Sequence, residues 1–171
     1  MIHLYHGDGK GKTTCAMGLA LRAFGCGKSI VIAQFLKGSP SGEITMFESL
    51  DGVHVFRLKE ELPFTFAMND AQKLDAKKQH DRIFQKAIQF ANTGYCDVLV
   101  LDELCAALET NLIEKSSVEQ FIKNVPQNVE VIITGRNPPS LFIEKADYVT
   151  EMKAIRHPFE KGIPAREGIE F

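Results

Sequence analysis

The chain has 171 residues, 44% hydrophobic and 25% charged, with a formal net charge of -2. That suits one domain over residues 1–171 with a sizeable core, and it argues against wholesale disorder and against nucleic acid as a partner, although a local basic loop can still bind a small phosphate. No apolar run is long enough to span a bilayer, and Met1-Ile2-His3-Leu4-Tyr5-His6 lacks the features of a signal peptide, so a cytoplasmic location without membrane contact is expected.

The first apolar strand runs straight into a Gly-rich loop. A helix then extends from Lys12-Thr13 to about Phe24, with Ala16, Leu19, Ala20 and Ala23 at helical spacing and Gly25 and Gly27 to stop it. Ile30-Val31-Ile32-Ala33 and Val53-His54-Val55-Phe56 are the next strands. Lys37 to Gly42 and Lys59 to Asn69 read as irregular loops after strands, where α/β proteins place function. A long helix follows Asn69-Asp70, carries Ile83, Phe84, Ala87, Ile88 and Ala91 on one face and stops at Gly94. Val98-Leu99-Val100-Leu101 is a strand. A helix opens at Ser116 with Glu119 at capping-box spacing and ends by Pro126, and Val129 to Ile133 is another strand. The tail from Lys153 to Phe171 is irregular. Near-continuous apolar strands suggest burial on both faces of a mostly parallel sheet, hence a three-layer α/β sandwich. Cys15, Cys26, Cys96 and Cys105 form no Cys-x-x-Cys pair and read as small buried thiols.

The strongest chemical signal is Gly7-Asp8-Gly9-Lys10-Gly11-Lys12-Thr13-Thr14, between a strand and a helix. Glycines let the backbone turn several N–H groups inward, and the helix start adds its positive dipole end. Lys12 supplies a cation for phosphate oxygens, and the Thr13 hydroxyl can ligate Mg²⁺. The common pattern G-x-x-x-x-G-K-[ST] would place its first glycine at His6, so this loop is one residue short when counted from Gly7. Leu101-Asp102-Glu103 closes an apolar strand with an acidic pair. One carboxylate can hold Mg²⁺ while the other orients a water or ligand, although a plain helix cap would read the same way. Arg136, in Thr134-Gly135-Arg136-Asn137, follows a strand on the loop's side of the sheet and can reach phosphate or ribose, or form a salt bridge across the loop.

These blocks resemble the ATP:corrinoid adenosyltransferases of the bacterial cobalamin-synthesis type. The resemblance covers essentially the whole chain, through the phosphate loop, Arg22-Ala23-Phe24-Gly25-Cys26-Gly27, Gln34-Phe35-Leu36-Lys37-Gly38 and Phe64-Thr65-Phe66. It continues through Leu101-Asp102-Glu103, Thr134-Gly135-Arg136, Ala146 to Met152, Arg156-His157-Pro158-Phe159 and Gly168 to Phe171. It implies a P-loop NTPase fold of RecA-like type, usually a homodimer. ATP would lie reversed along the loop, with its ribose carbon toward the corrinoid. Gly7, Asp8, Gly9, Lys10, Gly11, Lys12, Thr13 and Thr14 would bind the triphosphate, Thr13 with Glu103 would hold Mg²⁺, and Arg22 and Arg136 would reach the nucleotide. Phe64 and Phe66 match the aromatic side chains that displace the lower axial ligand of cobalt, easing its reduction to Co(I). By strand spacing alone they would read as core. Members of the family commonly have tryptophan where this chain has Phe66, and this sequence has no Trp. Longer members carry an N-terminal segment that helps cover the corrinoid, whereas this sequence opens on its first strand. The tail around His157 is then an alternative cover. A reductant such as a flavodoxin-like protein is a further implied partner. Against adenosyl transfer stand a small-molecule kinase or ATPase, with Glu103 as its orienting base, and a nucleotide switch without catalysis.

Overall fold

The computed structural model describes residues 1–38, 41–60, 62–63 and 65–169. Phe64 therefore lies outside the described residues. Strands β1 (Ile2–His6), β2 (Ile30–Gln34), β3 (Val53–Arg57), β4 (Val98–Asp102), β5 (Glu130–Gly135) and β6 (Tyr148–Glu151) form one sheet in the order β3-β2-β4-β5-β1-β6. Every pairing is parallel, so all strands end at the same edge.

Alternation along the strands divides the core in two, as the two-residue period of a strand requires. Ile30, Ile32, Val98, Val100 and Ile132 face helices α1 (Lys12–Gly25) and α2 (Gly42–Glu48), where they meet Ala16, Met17, Ala20, Ile44 and Phe47. Ile2, Leu4, Val31, Ala33, Leu99, Leu101, Val131 and Ile133 face the other way. There they pack on α3 (Asp70–Thr93), α4 (Leu104–Glu109), α5 (Lys115–Lys123) and α6 (Ser140–Lys145). The expected three layers are present.

Among the described residues the α-helices α2, α4 and α6 and the edge strand β6 were not foreseen, nor were the 3₁₀ turns Thr65–Ala67 and Pro158–Lys161. The helix expected at Ser116 begins one residue earlier. Its N-cap is Glu114, with no side-chain cap bond. The Ser116 hydroxyl donates to Glu114 at 3.1 Å, and Glu119 pairs with Lys115 and Lys123 instead of closing a capping box. A capping box does form on α3, where Asn69 accepts from the Gln72 N–H and Gln72 accepts from the Asn69 N–H. The thiols divide as well. Cys96 and Cys105 are buried and pushed up to about 12 by that burial, while Cys15 and Cys26 are exposed.

Candidate active site

The ends of β1, β2, β4 and β5 converge on one point of the sheet edge, where open parallel sheets bind their ligands. The loop after β1 is shaped by its neighbour. The Gly9 N–H donates to the Met152 carbonyl at 2.7 Å, and the Met152 N–H donates to the His6 carbonyl at 2.7 Å. Gly7 has φ 108, and a Cβ there would collide with the Met152 carbonyl oxygen, so the residue has to be glycine on both counts. Ala154 N–H donates to Asp8 at 3.2 Å, and this bond is the main cause of an Asp8 carboxyl held below its ordinary value. Residues just past β6 thus buttress the loop from outside. Lys10 and Thr14 lie exposed on it. Gly11, in a left-handed conformation, starts α1 with no side-chain cap. The first-turn amides therefore keep their donors for an anion.

Lys12 folds over this loop, its Nζ donating to the Gly9 carbonyl at 2.7 Å. Burial pushes its ammonium below the ordinary lysine value, Glu103 and Asp8 act against that shift, and Arg136 and Lys37 add to it. Several charges of both signs therefore meet within one small region.

The centre of the site is Asp102, which has no exposed surface. Its Oδ1 accepts from the Thr13 hydroxyl at 2.9 Å and from the Thr134 hydroxyl at 2.8 Å, and its Oδ2 accepts from Gln34 Nε2 at 3.0 Å. A buried carboxylate needs such a set of donors to remain charged. Glu103 follows with φ 61, a left-handed conformation, and its N–H donates to Thr134 Oγ1 at 2.8 Å. Burial, and then the Asp102 charge, raise the Glu103 carboxyl above its ordinary value, against the pull of Lys37, Lys12 and Arg136. Lys37 Nζ lies 4.0 Å from both Asp102 and Glu103.

The phosphate loop, Thr13, Glu103 and the Arg136 charge lie together at one edge of the sheet, with Thr13 bonded to Asp102 and not to Glu103. The partners that residue-by-residue reading did not single out are Asp102 as Thr13's direct neighbour, Lys37, Gln34 and Thr134. All four sit at strand ends beside the loop, and the Gln34 to Gly38 and Thr134 to Arg136 blocks were the available signal. Arg22 is not brought in: it lies exposed in the last turn of α1, ten residues after Lys12, or about 15 Å further along the axis. Phe66 is 87% exposed on a 3₁₀ turn, Thr65–Ala67, so it is no core phenylalanine on a strand. His157 accepts from the Phe159 N–H at 3.2 Å and caps the 3₁₀ turn Pro158–Lys161.

The donors fit Mg²⁺. Thr13, Asp102 and Glu103 offer hard oxygens, and Gln34 Oε1 is buried beside them with no partner. Among the described residues no cluster of three or more His, Cys, Asp or Glu side chains could cage a metal. Mg²⁺ characteristically takes one or two carboxylates and completes its shell with phosphate oxygens and water, so this set suits it.

Comparison with known proteins gives the family. The family model described as ATP:corrinoid adenosyltransferase BtuR/CobO/CobP matches residues 1–171. A corrinoid adenosyltransferase of Pseudomonas aeruginosa is 35% identical over 172 aligned positions, covering 100% of this chain and 83% of the relative. One from Escherichia coli K12 is 34% identical, covering 100% and 85%. Corrinoid adenosyltransferase CobA of Salmonella typhimurium is 32% identical with the same coverage, 100% and 85%.

Proposed function

The chain belongs to the ATP:corrinoid adenosyltransferase family, and from that premise we propose which of its residues carry the transfer of the 5′-deoxyadenosyl group to cobalt. The reaction uses Co(I) of a reduced corrinoid as the nucleophile. Its electron pair forms a bond to the ribose 5′-carbon, the bond from that carbon to the α-phosphate oxygen breaks, and triphosphate leaves. No protein nucleophile is needed, so the residues act by orientation and by stabilising the leaving charge.

The observation that carries the assignment is the bond from the Thr13 hydroxyl to buried Asp102, which joins the phosphate loop to the acidic strand end. In this reading the loop amides from Gly7 to Thr14 hold the triphosphate. Lys12 exchanges its bond to the Gly9 carbonyl for phosphate oxygens. Arg136 adds charge from the side of β5. Thr13, Glu103 and Asp102 hold Mg²⁺, which when bound offsets part of the charge of the leaving triphosphate. Phe66 faces the corrinoid, and its exposure supports that placement; Phe64 lies outside the described residues and keeps only the role that the resemblance implies.

The product identifies the reaction. Supplied with chemically reduced corrinoid and ATP, the protein should yield a light-sensitive cobalt–carbon product and one triphosphate for each. ADP with a phosphorylated acceptor would instead establish the kinase reading.

Three coarser expectations join this proposal. The Co(I) nucleophile has to be regenerated by a reductant, for which a flavodoxin-like protein is the proposed donor. A homodimer is proposed, and the exposed edge strand β6 offers one surface for it. A cytoplasmic location is supported by the exposed thiols of Cys15 and Cys26, which suit a reducing compartment. Among the described residues no helix is long and apolar enough to cross a membrane.

A further inference from the structure

A buried imidazole on the far side of the sheet from the phosphate loop bears on the same site. His80, in α3, has no exposed surface, and its Nε2 accepts from the Leu36 N–H at 3.0 Å. Leu36 lies just past β2 with φ 63, a conformation that residues with side chains disfavour. The Lys37 N–H donates to the Phe35 carbonyl at 2.8 Å, closing a three-residue turn around Leu36. A positive φ at the centre of such a turn marks its rare, strained form. Strained turns persist only where their surroundings hold them. Here the holds are the Phe35 N–H on the Asp102 carbonyl at 3.0 Å, the Leu36 side chain against the core beneath it, and His80. Of these, only His80 engages the turn's central N–H. The next residue is Lys37, whose ammonium lies 4.0 Å from both Asp102 and Glu103.

We propose that His80 is a positioning residue for adenosyl transfer: its Nε2 fixes the Leu36 turn, and the turn holds the Lys37 ammonium beside Asp102 and Glu103, against the triphosphate. The inference rests on the reading of that acidic pair as the metal and phosphate end of the site. An Nε2 that accepts leaves the proton on Nδ1, so the imidazole must be neutral. Burial lowers the His80 pKa and favours that form. The His80 ring also meets the Ala76 and Leu112 backbone, but Nδ1 has no well-formed hydrogen bond among the described residues, which leaves the Leu36 N–H as the well-formed partner of the ring. A histidine serving packing alone would act on stability but not through Lys37, which separates the two roles.

The test is a double-mutant cycle on kcat/KM for ATP with reduced corrinoid, using His80→Leu, Lys37→Ala and both together. Leucine fills the space and removes the acceptor, and His80→Gln restores an acceptor near the Nε2 position. His80→Leu should lower kcat/KM about tenfold, the size of one well-placed hydrogen bond's effect. It should cause no further loss in the Lys37→Ala background, and His80→Gln should recover most of the activity. Losses that multiply, or an unchanged kcat/KM in folded His80→Leu, would overturn the inference. Nitrogen NMR of the unaltered protein at neutral pH gives a check that no variant can spoil: Nδ1 should carry the proton, and a protonated Nε2 overturns the proposal. Lys12→Ala is the control. If it abolishes ATP binding while His80→Leu changes nothing, the His80 role alone fails. If it leaves ATP binding intact, the phosphate-site reading fails with it.

Discussion

Lys12 is bonded to the carbonyl of its own loop, so its removal takes a cation from the phosphate site without opening the core. Lys12→Ala should therefore keep the circular dichroism of the folded protein and lose ATP affinity by about a hundredfold, as expected for a charge-assisted contact worth about 3 kcal/mol. Calorimetric titration with ATP checks this, and an unchanged affinity would remove the loop's assignment. Asp102 is the opposite kind of residue. Its two oxygens accept from Thr13, Thr134 and Gln34, so in Asp102→Asn the amide N–H₂ meets a donor unless the Gln34 amide turns its Oε1 toward it. Such a mismatch should cost about 1–3 kcal/mol of stability, read by thermal melting, besides disabling metal binding. The sequence identified an acidic pair but not which member touches Thr13, because Asp102 closes the strand while Glu103 leaves it in a left-handed conformation, a change of direction that the residue types do not announce. His80 adds a pH dependence. Its folded pKa lies below the ordinary 6.5, so below that value the unfolded chain binds the proton more readily. Stability should be flat with respect to His80 above pH 6.5, fall as pH drops below it, and level off once folded His80 also protonates. A series of melts for the unaltered protein and His80→Gln reads the difference, and identical pH profiles would contradict it.

At the scale of elements, the strand ends were legible because buried parallel strands write themselves as apolar runs, and α1 and α3 because they are long enough to show a helical period. Helices α2, α4 and α6 are six or seven residues long and show less than two turns of periodicity. Strand β6 is exposed along its whole length, so no buried pattern announces it. Yet β6 is what completes the phosphate loop, since Met152, just past its end, exchanges backbone bonds with His6 and Gly9. Gly7→Ala tests that packing. The added methyl meets the Met152 carbonyl at a φ of 108, so both stability and ATP affinity should fall, by more than the roughly 1–2 kcal/mol that left-handed backbone alone costs. A fully stable variant with intact ATP binding would mean that β6 does not constrain the loop. The 3₁₀ turn bearing Phe66 belongs to a different function. Because Phe66 is 87% exposed, Phe66→Ala should barely alter the melting temperature or ATP affinity. It should slow adenosylation of a corrinoid that has a lower axial ligand, with less four-coordinate cobalt(II) in the spectrum of the complex. An unchanged spectrum would leave Phe66 without a role at the corrinoid.

For the molecule as a whole, a net charge of -2 offers little attraction for polyphosphate, so affinity has to come from local convergence. Lys12, Lys37 and Arg136 supply it from three different strand ends, and the buried Asp102 and the half-buried Glu103 are the anions that hold the cationic side of the site in place. Those segments are far apart in sequence, so nucleotide binding should tie β1, β2, β4 and β5 together and stabilise the entire fold. Ligand present at a hundred times its dissociation constant adds about 2.7 kcal/mol to unfolding. For a protein of this size each kcal/mol raises the melting temperature by about 2–4 °C, so saturating ATP with Mg²⁺ should raise it by about 5–11 °C. Triphosphate with Mg²⁺ should give much of that shift, because the charge it presents is what the loop and the cations engage, whereas adenosine alone should give little. Lys12→Ala should abolish the response to both phosphate ligands. ATP incubated with the protein and no corrinoid should meanwhile be cleaved slowly, since adenosyl transfer draws its nucleophile from the corrinoid and not from activated water. A melting temperature that rises with adenosine but not with triphosphate would place the binding energy at the base and sugar, and would remove the phosphate loop from its central role.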